Sequence, residues 1–131
     1  MKLKFFISIL FFSITTQSSY KFETVLSNLD DAWSFEFLSE DKILFTEMPG
    51  KLKIASLLDK SITEIKNVPS VQYASQGGLS EVVLDPDFEN NNIIYLSYSA
   101  KDENNKSTLF LLSAELRNNI LINNKVIFQA K

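Results

Sequence analysis

The chain has 131 residues, 45% hydrophobic and 22% charged, with a formal net charge of −3. The length suits one domain, and the composition excludes a disordered chain. The chain contains neither cysteine nor histidine, which excludes disulfides, thiolate metal sites and a histidine base or ligand within it. Carboxylates, amides, hydroxyls, lysines or a bound cofactor are left to carry any chemistry. A single arginine, Arg117, and the absence of a lysine cluster argue against a nucleic-acid surface.

Residues 1–19 read as a secretory signal peptide. Lys2 and Lys4 make a basic start, Phe5 to Ile14 is an apolar run broken only by Ser8 and Ser13, and Thr15 to Ser19 is small and polar. The apolar run is about half the roughly 20 residues that a spanning helix needs. Cleavage near Ser18 or Ser19 would leave eleven basic side chains against sixteen acidic ones, a balance of −5. No membrane span is expected after cleavage.

From Tyr20 onward the pattern is short strands and turns. The expected strands are Trp33–Phe37, Ile43–Glu47, Lys51–Leu57 and Ile62–Asn67, then Leu79–Leu84, Ile93–Tyr98, Thr108–Leu116 and Lys125–Gln129. Each is rich in β-branched or aromatic residues. Turn-forming stretches separate them: residues 39–42, 48–50, 85–92 and 101–106, and the asparagine pairs 118–119 and 123–124. No helix is expected.

The strands form two groups of four, whose starts at Trp33 and Leu79 lie 46 residues apart. Both groups run strand, acidic turn, strand. A period near 45 residues with four strands per unit is the pattern of β-propeller blades. The second group is apolar on both faces, at Val82–Leu84 and Ile93–Leu96, as a blade stacked between neighbours requires. Propellers close with about four to eight blades, so the expected fold is all-β, about two four-stranded blades of a longer, truncated propeller. The pattern alone leaves open a complete eight-stranded sandwich.

The order of short motifs carries more. Trp33, Ser34 and Phe37 are followed by Thr46, Glu47 and Gly50. Gln76, Gly77, Gly78 and Leu79 come next, then Pro86, Asp87 and Phe88, then Tyr95, Ser97 and Tyr98. In order and spacing this series resembles the glucose/sorbosone dehydrogenases, soluble aldose sugar dehydrogenases that use pyrroloquinoline quinone (PQQ). The resemblance covers residues 20–131 and implies a six-bladed propeller, favouring truncation over the sandwich. There are departures: Ala32 stands where the family has proline, residues 39–42 lack a turn glycine, Ser75 replaces the first glycine of Gly-Gln-Gly-Gly, and Asp85 stands where histidine is common.

By itself, Gln76 before a glycine pair reads as a solvated turn. The resemblance instead makes Gln76 the candidate catalytic residue, touching sugar or quinone. Gly77 and Gly78 join it as candidate cofactor-binding residues, turning the backbone sharply and keeping the approach to a planar cofactor clear. An amide suits that place because it donates and accepts without charge. Glu47 reads equally as a buried carboxylate near the channel or a strand-end turn residue. Asp85 and Asp87 read as a turn with Phe88 tucked under the blade, since residues 85–92 lack a calcium-loop pattern. Trp33, Phe35 and Phe37 read as core. No metal ligand is assigned in the chain.

The resemblance implies a periplasmic or secreted bacterial oxidoreductase that oxidises the C1 hydroxyl of aldoses to lactones, with PQQ and Ca2+ as cofactors. Its partners would be a sugar and an electron acceptor. The family's general base, a histidine in a His-x-Gly-Gly-Arg type segment, and the Ca2+ ligands would follow residue 131, leaving these residues alone inactive. The alternatives are a non-catalytic extracytoplasmic propeller that binds a ligand, or a degenerate remnant.

Overall fold

The structure is a computed structural model that describes residues 20–131. The leader segment read above lies outside the described residues. Eight strands and one helical turn follow in order: β1 (Ala32–Ser39), β2 (Lys42–Glu47), β3 (Lys51–Ser56), β4 (Ile62–Glu64), β5 (Leu79–Leu84), α1 (Phe88–Asn91), β6 (Ile93–Lys101), β7 (Ser107–Arg117) and β8 (Ile120–Gln129). They form two four-stranded antiparallel sheets, β1-β2-β3-β4 and β5-β6-β7-β8, each strand pairing with the next in sequence. These are two propeller blades, and β5 packs against β1 and β2.

The turns explain the tight meanders. Asn118 and Asn119 have φ of 49° and 60° between β7 and β8, the type I′ geometry that matches strand twist and that asparagine tolerates. Gly50, at φ 110°, ends the turn between β2 and β3. Several boundaries differ from expectation, two of them through tertiary contacts. β4 stops at Glu64: the buried Ile65 still donates its N–H to Leu52 O at 2.8 Å, but Lys66 turns to the second sheet, donating from N–H to Asn119 O and accepting from Leu121 N–H, at 2.9 and 3.0 Å. The segment after β4 thereby joins the second sheet as a parallel bridge. β8 starts at Ile120 rather than Lys125, because the Asn123–Asn124 pair sits in a register irregularity inside the strand, with Asn123 at φ 55°. A single helical turn, α1, occupies part of the expected 85–92 turn.

The core lies between the sheets. Leu44 and Leu52 from the first meet Val82, Ile94, Leu96 and Leu112 from the second, all at most 3% exposed. Strand alternation puts the remaining apolar residues on the outer faces. Trp33, Phe35 and Phe37 are 56%, 58% and 58% exposed, contrary to the core reading, and Val83, Leu109 and Phe128 are 47%, 45% and 54% exposed. The second sheet is apolar on both faces, as its sequence indicates, but these residues cover only one of them.

Candidate functional site

The segment between β4 and β5 builds the candidate site. Ala74 and Gly77 form an antiparallel bridge with Ser75 and Gln76 as its two-residue tip. Gly77 N–H donates to Ala74 O at 2.8 Å, and Ala74 N–H donates back to Gly77 O at 3.2 Å. Ser75 has φ 56° while Gln76 is not in the left-handed region, the pattern of a type II′ turn, whose first central position favours glycine. The serine at this position is thus the residue in the strained conformation. Gln76 stands exposed at the tip.

The glycines do different work from their neighbour. Neither Gly77 nor Gly78 has a positive φ. A Cβ on Gly78 would lie 2.2 Å from Met48 O, and one on Gly77 would lie 3.2 Å from each of Ala74 O, Gln72 O and Ser99 Oγ. The space a side chain would need is filled by protein atoms at both positions. Gly78 therefore lets the loop press against the first sheet, where Leu79 N–H donates to Met48 O at 3.0 Å. On its other side the loop is held by β6: Gln72 N–H donates to Ser99 O at 2.7 Å and Ser99 N–H donates to Gly78 O at 2.8 Å.

The first sheet's corner below this loop is polar and ordered. Thr46 is fully buried; its Oγ1 accepts from Ser34 N–H at 3.1 Å and donates to Ser80 O at 2.6 Å, stitching β1, β2 and β5. Glu47 is also fully buried. Its Oε1 accepts from Asp30 N–H at 3.0 Å, and Lys53 Nζ lies 2.6 Å from Oε2, an ion contact rather than an aligned hydrogen bond. The carboxylate is thus buried, and it fastens the chain entering β1 to the end of β2. Asp31, at φ 48°, accepts Met48 N–H at its carbonyl (3.0 Å) and the Tyr73 hydroxyl at its carboxylate. That hydrogen bond raises the Tyr73 pKa, since it favours the neutral phenol beside an anion.

At the opposite end of β5, Asp85 organises the corner. Its Oδ2 accepts from Tyr95 OH at 2.7 Å; its Oδ1 accepts from Asp87 N–H and Asn91 Nδ2, both at 2.9 Å. The Tyr95 bond, then the other two, lower its pKa. Phe88 packs against the core from α1, as the turn reading expects.

Sequence reasoning singled out Gln76, Gly77 and Gly78, and the structure places Gln76 at the tip of a hairpin that Gly77 closes and Gly78 follows. It missed Thr46 as the inter-sheet tie, and Asp31 with Tyr73. A tyrosine placed shortly before the glycine pair was the only available signal for the last, and its partner lies 42 residues away. Among the described residues no group of three or more His, Cys, Asp or Glu side chains converges. Gln76, exposed beyond the packed glycines, presents a neutral donor and acceptor, chemistry compatible with a quinone carbonyl or a sugar hydroxyl.

Comparison with known proteins places the chain. The family model for Glucose / Sorbosone dehydrogenase matches residues 29–131. An aldose sugar dehydrogenase of Escherichia coli (strain K12), YliI, is 34% identical over 86 residues, 65% of this chain and 23% of that protein. A crystal structure of a glucose dehydrogenase superposes with a TM-score of 0.77 at 34% identity, covering 83% of this chain and 33% of that one. The soluble aldose sugar dehydrogenase from Escherichia coli, in its apo form, gives 0.76 at 29% identity over 82% and 32% of the two chains. The PQQ-bound aldose sugar dehydrogenase from Streptomyces coelicolor shares the fold, with a TM-score of 0.67 at 20% identity over 82% of this chain and 33% of that one. The chain spans 22% and 23% of the two curated relatives it matches. With a family match across both sheets and the hairpin between them, the chain belongs to the Glucose / Sorbosone dehydrogenase family.

Proposed function

We propose that the chain forms the first two blades of an exported PQQ-dependent sugar dehydrogenase, periplasmic or secreted, that oxidises the C1 hydroxyl of an aldose to a lactone. The observation that carries this reading is the Gln76 hairpin. It holds a neutral amide exposed on a two-residue tip, packed against both sheets by Gly77 and Gly78. When bound, PQQ supplies the two-electron acceptor that no side chain of this protein provides. Gln76 donates to a quinone or sugar oxygen and accepts from a sugar hydroxyl, fixing C1 relative to the cofactor. Gly77 and Gly78 contribute by placing the hairpin, Met48 O and Ser99 serving as its seat. The base and the Ca2+ ligands belong to the portion of the family architecture beyond these two blades.

The test is reconstitution of the complete protein with PQQ and Ca2+, with dye reduction followed across a panel of aldoses. Reduction by at least one aldose, abolished by omitting PQQ, is the expected result. No reduction with any aldose by a folded, PQQ-supplied protein overturns the reading.

A further inference from the structure

We infer that the hydrogen bond from Tyr73 to Asp31 is a clamp between the blades that positions the Gln76 hairpin. The hairpin rises from a loop whose two ends both return to one corner of the first sheet. The exit is held by backbone: Leu79 N–H donates to Met48 O at 3.0 Å, and Met48 N–H donates to Asp31 O at 3.0 Å. The entry is held to that corner by a side chain, Tyr73 OH donating to the carboxylate of the same Asp31. Asp31 therefore closes a ring that runs Tyr73, the hairpin, Leu79, Met48 and back. On the other flank Ser99 holds Gln72 and Gly78 through backbone bonds. The Tyr73 hydroxyl is thus the tie to the first sheet that a point substitution can remove without touching backbone. The hairpin needs such a tie because its tip carries Ser75 at φ 56°, a conformation that persists when its surroundings hold it. Tyr73 itself is 49% exposed, so its hydroxyl adds little to global stability and acts on the loop.

The catalytic consequence rests on the reading of Gln76 given above; the clamp does not. The first arm is amide hydrogen exchange in the complete protein. Tyr73→Phe is expected to speed exchange at the Gln72 and Gly77 amides about 10-fold by local opening. Asp31→Gly, which accommodates φ 48° and removes the carboxylate, should do the same. The double variant should exchange no faster than either single, because the two groups make one interaction. Exchange within about two-fold of the parent in Tyr73→Phe, or additive effects in the double, overturns the clamp. The second arm is kinetic, in the PQQ-loaded protein. Tyr73→Phe is expected to lower kcat about 5-fold with the aldose KM unchanged, since misplacing a positioned group costs rate. Faster exchange with an unchanged kcat overturns the positioning role. A parent that oxidises no aldose sinks the proposed function, and exchange alone then decides the clamp.

Discussion

Tyr95 and Tyr73 make the same kind of bond at opposite ends of β5, with different reach. Tyr95 OH meets Asp85 at 2.7 Å across ten residues, within one corner, and two further donors share that carboxylate. Tyr73, in the loop between the sheets, meets Asp31, just before β1, across 42 residues. The far corner holds itself together by local, redundant bonds around a helical turn. The site end depends on the first sheet for its shape: on Met48 O, on Thr46, on the buried Glu47 and on Asp31. The loop that carries Gln76 takes its geometry from the neighbouring sheet, whereas the loop at the far corner is held by its own residues.

Substitutions sharpen this contrast, beginning with the largest. Gly78→Ala places a Cβ 2.2 Å from Met48 O, and the forced separation of the sheets should cost about 3 kcal/mol in chemical denaturation of the complete protein. Pro86→Ala at the far corner, where the side chain is exposed, should stay within about 0.5 kcal/mol; equal losses at the two ends would erase the distinction. Glu47→Gln leaves Lys53, only 16% exposed, without its counter-charge. The expected loss is about 2 kcal/mol, below the full cost for a wholly buried pair. The strained turn works in the other direction. Ser75→Gly should stabilise by about 0.5 kcal/mol, the relief of a left-handed serine less the added chain entropy. Asn92→Gly at the far corner, also left-handed with φ 56°, should change stability by only about 0.2 kcal/mol because asparagine tolerates that region.

The pH dependence separates the ends as well, as the smallest effect. Asp85 has its pKa lowered, chiefly by Tyr95. Its contribution is complete above the ordinary carboxylate pKa of about 3.9 and is lost as pH falls below it. Asp85→Asn should therefore flatten the acid limb of the stability curve. Tyr73 and Tyr95 both have raised pKa values, each chiefly through its hydrogen bond to aspartate. Their contribution is complete below the ordinary tyrosine pKa of about 10 and is lost as pH rises through the higher folded value. Tyr95→Phe should flatten the alkaline limb, and Tyr73→Phe should leave it nearly unchanged, because the half-exposed Tyr73 hydroxyl acts on its loop rather than on global stability. An Asp85→Asn or Tyr95→Phe variant whose limb matches the parent would show that the Asp85–Tyr95 bond does not form in solution.

Much of the fold was legible because it is local. Apolar strands between polar turns defined the two meanders, and the 46-residue offset from Trp33 to Leu79 marked the repeat. The misplaced edges were those set by tertiary partners. Lys66 turned away from the first sheet to join β8, and Asn123–Asn124 bulged within a strand because Ser113 to Glu115 kept pairing around it. Trp33, Phe35 and Phe37 have the composition of core residues, yet lie on a face that these two sheets leave uncovered. At the site, the glycine pair identified the hairpin, but its purpose was not readable. The need for Gly78 is set by Met48 O, a backbone atom 30 positions earlier, and no local pattern encodes that approach.

The central claim is that Gln76 touches the reacting sugar or quinone. Gln76→Ala in the complete, PQQ- and Ca2+-supplied protein tests it most directly, because the side chain is exposed and its removal should leave the fold intact. The account predicts that kcat/KM for the preferred aldose falls about 100-fold, the scale of losing one positioned donor, while the unfolding midpoint stays that of the parent. A variant that oxidises the aldose with the parent's kcat/KM would contradict it.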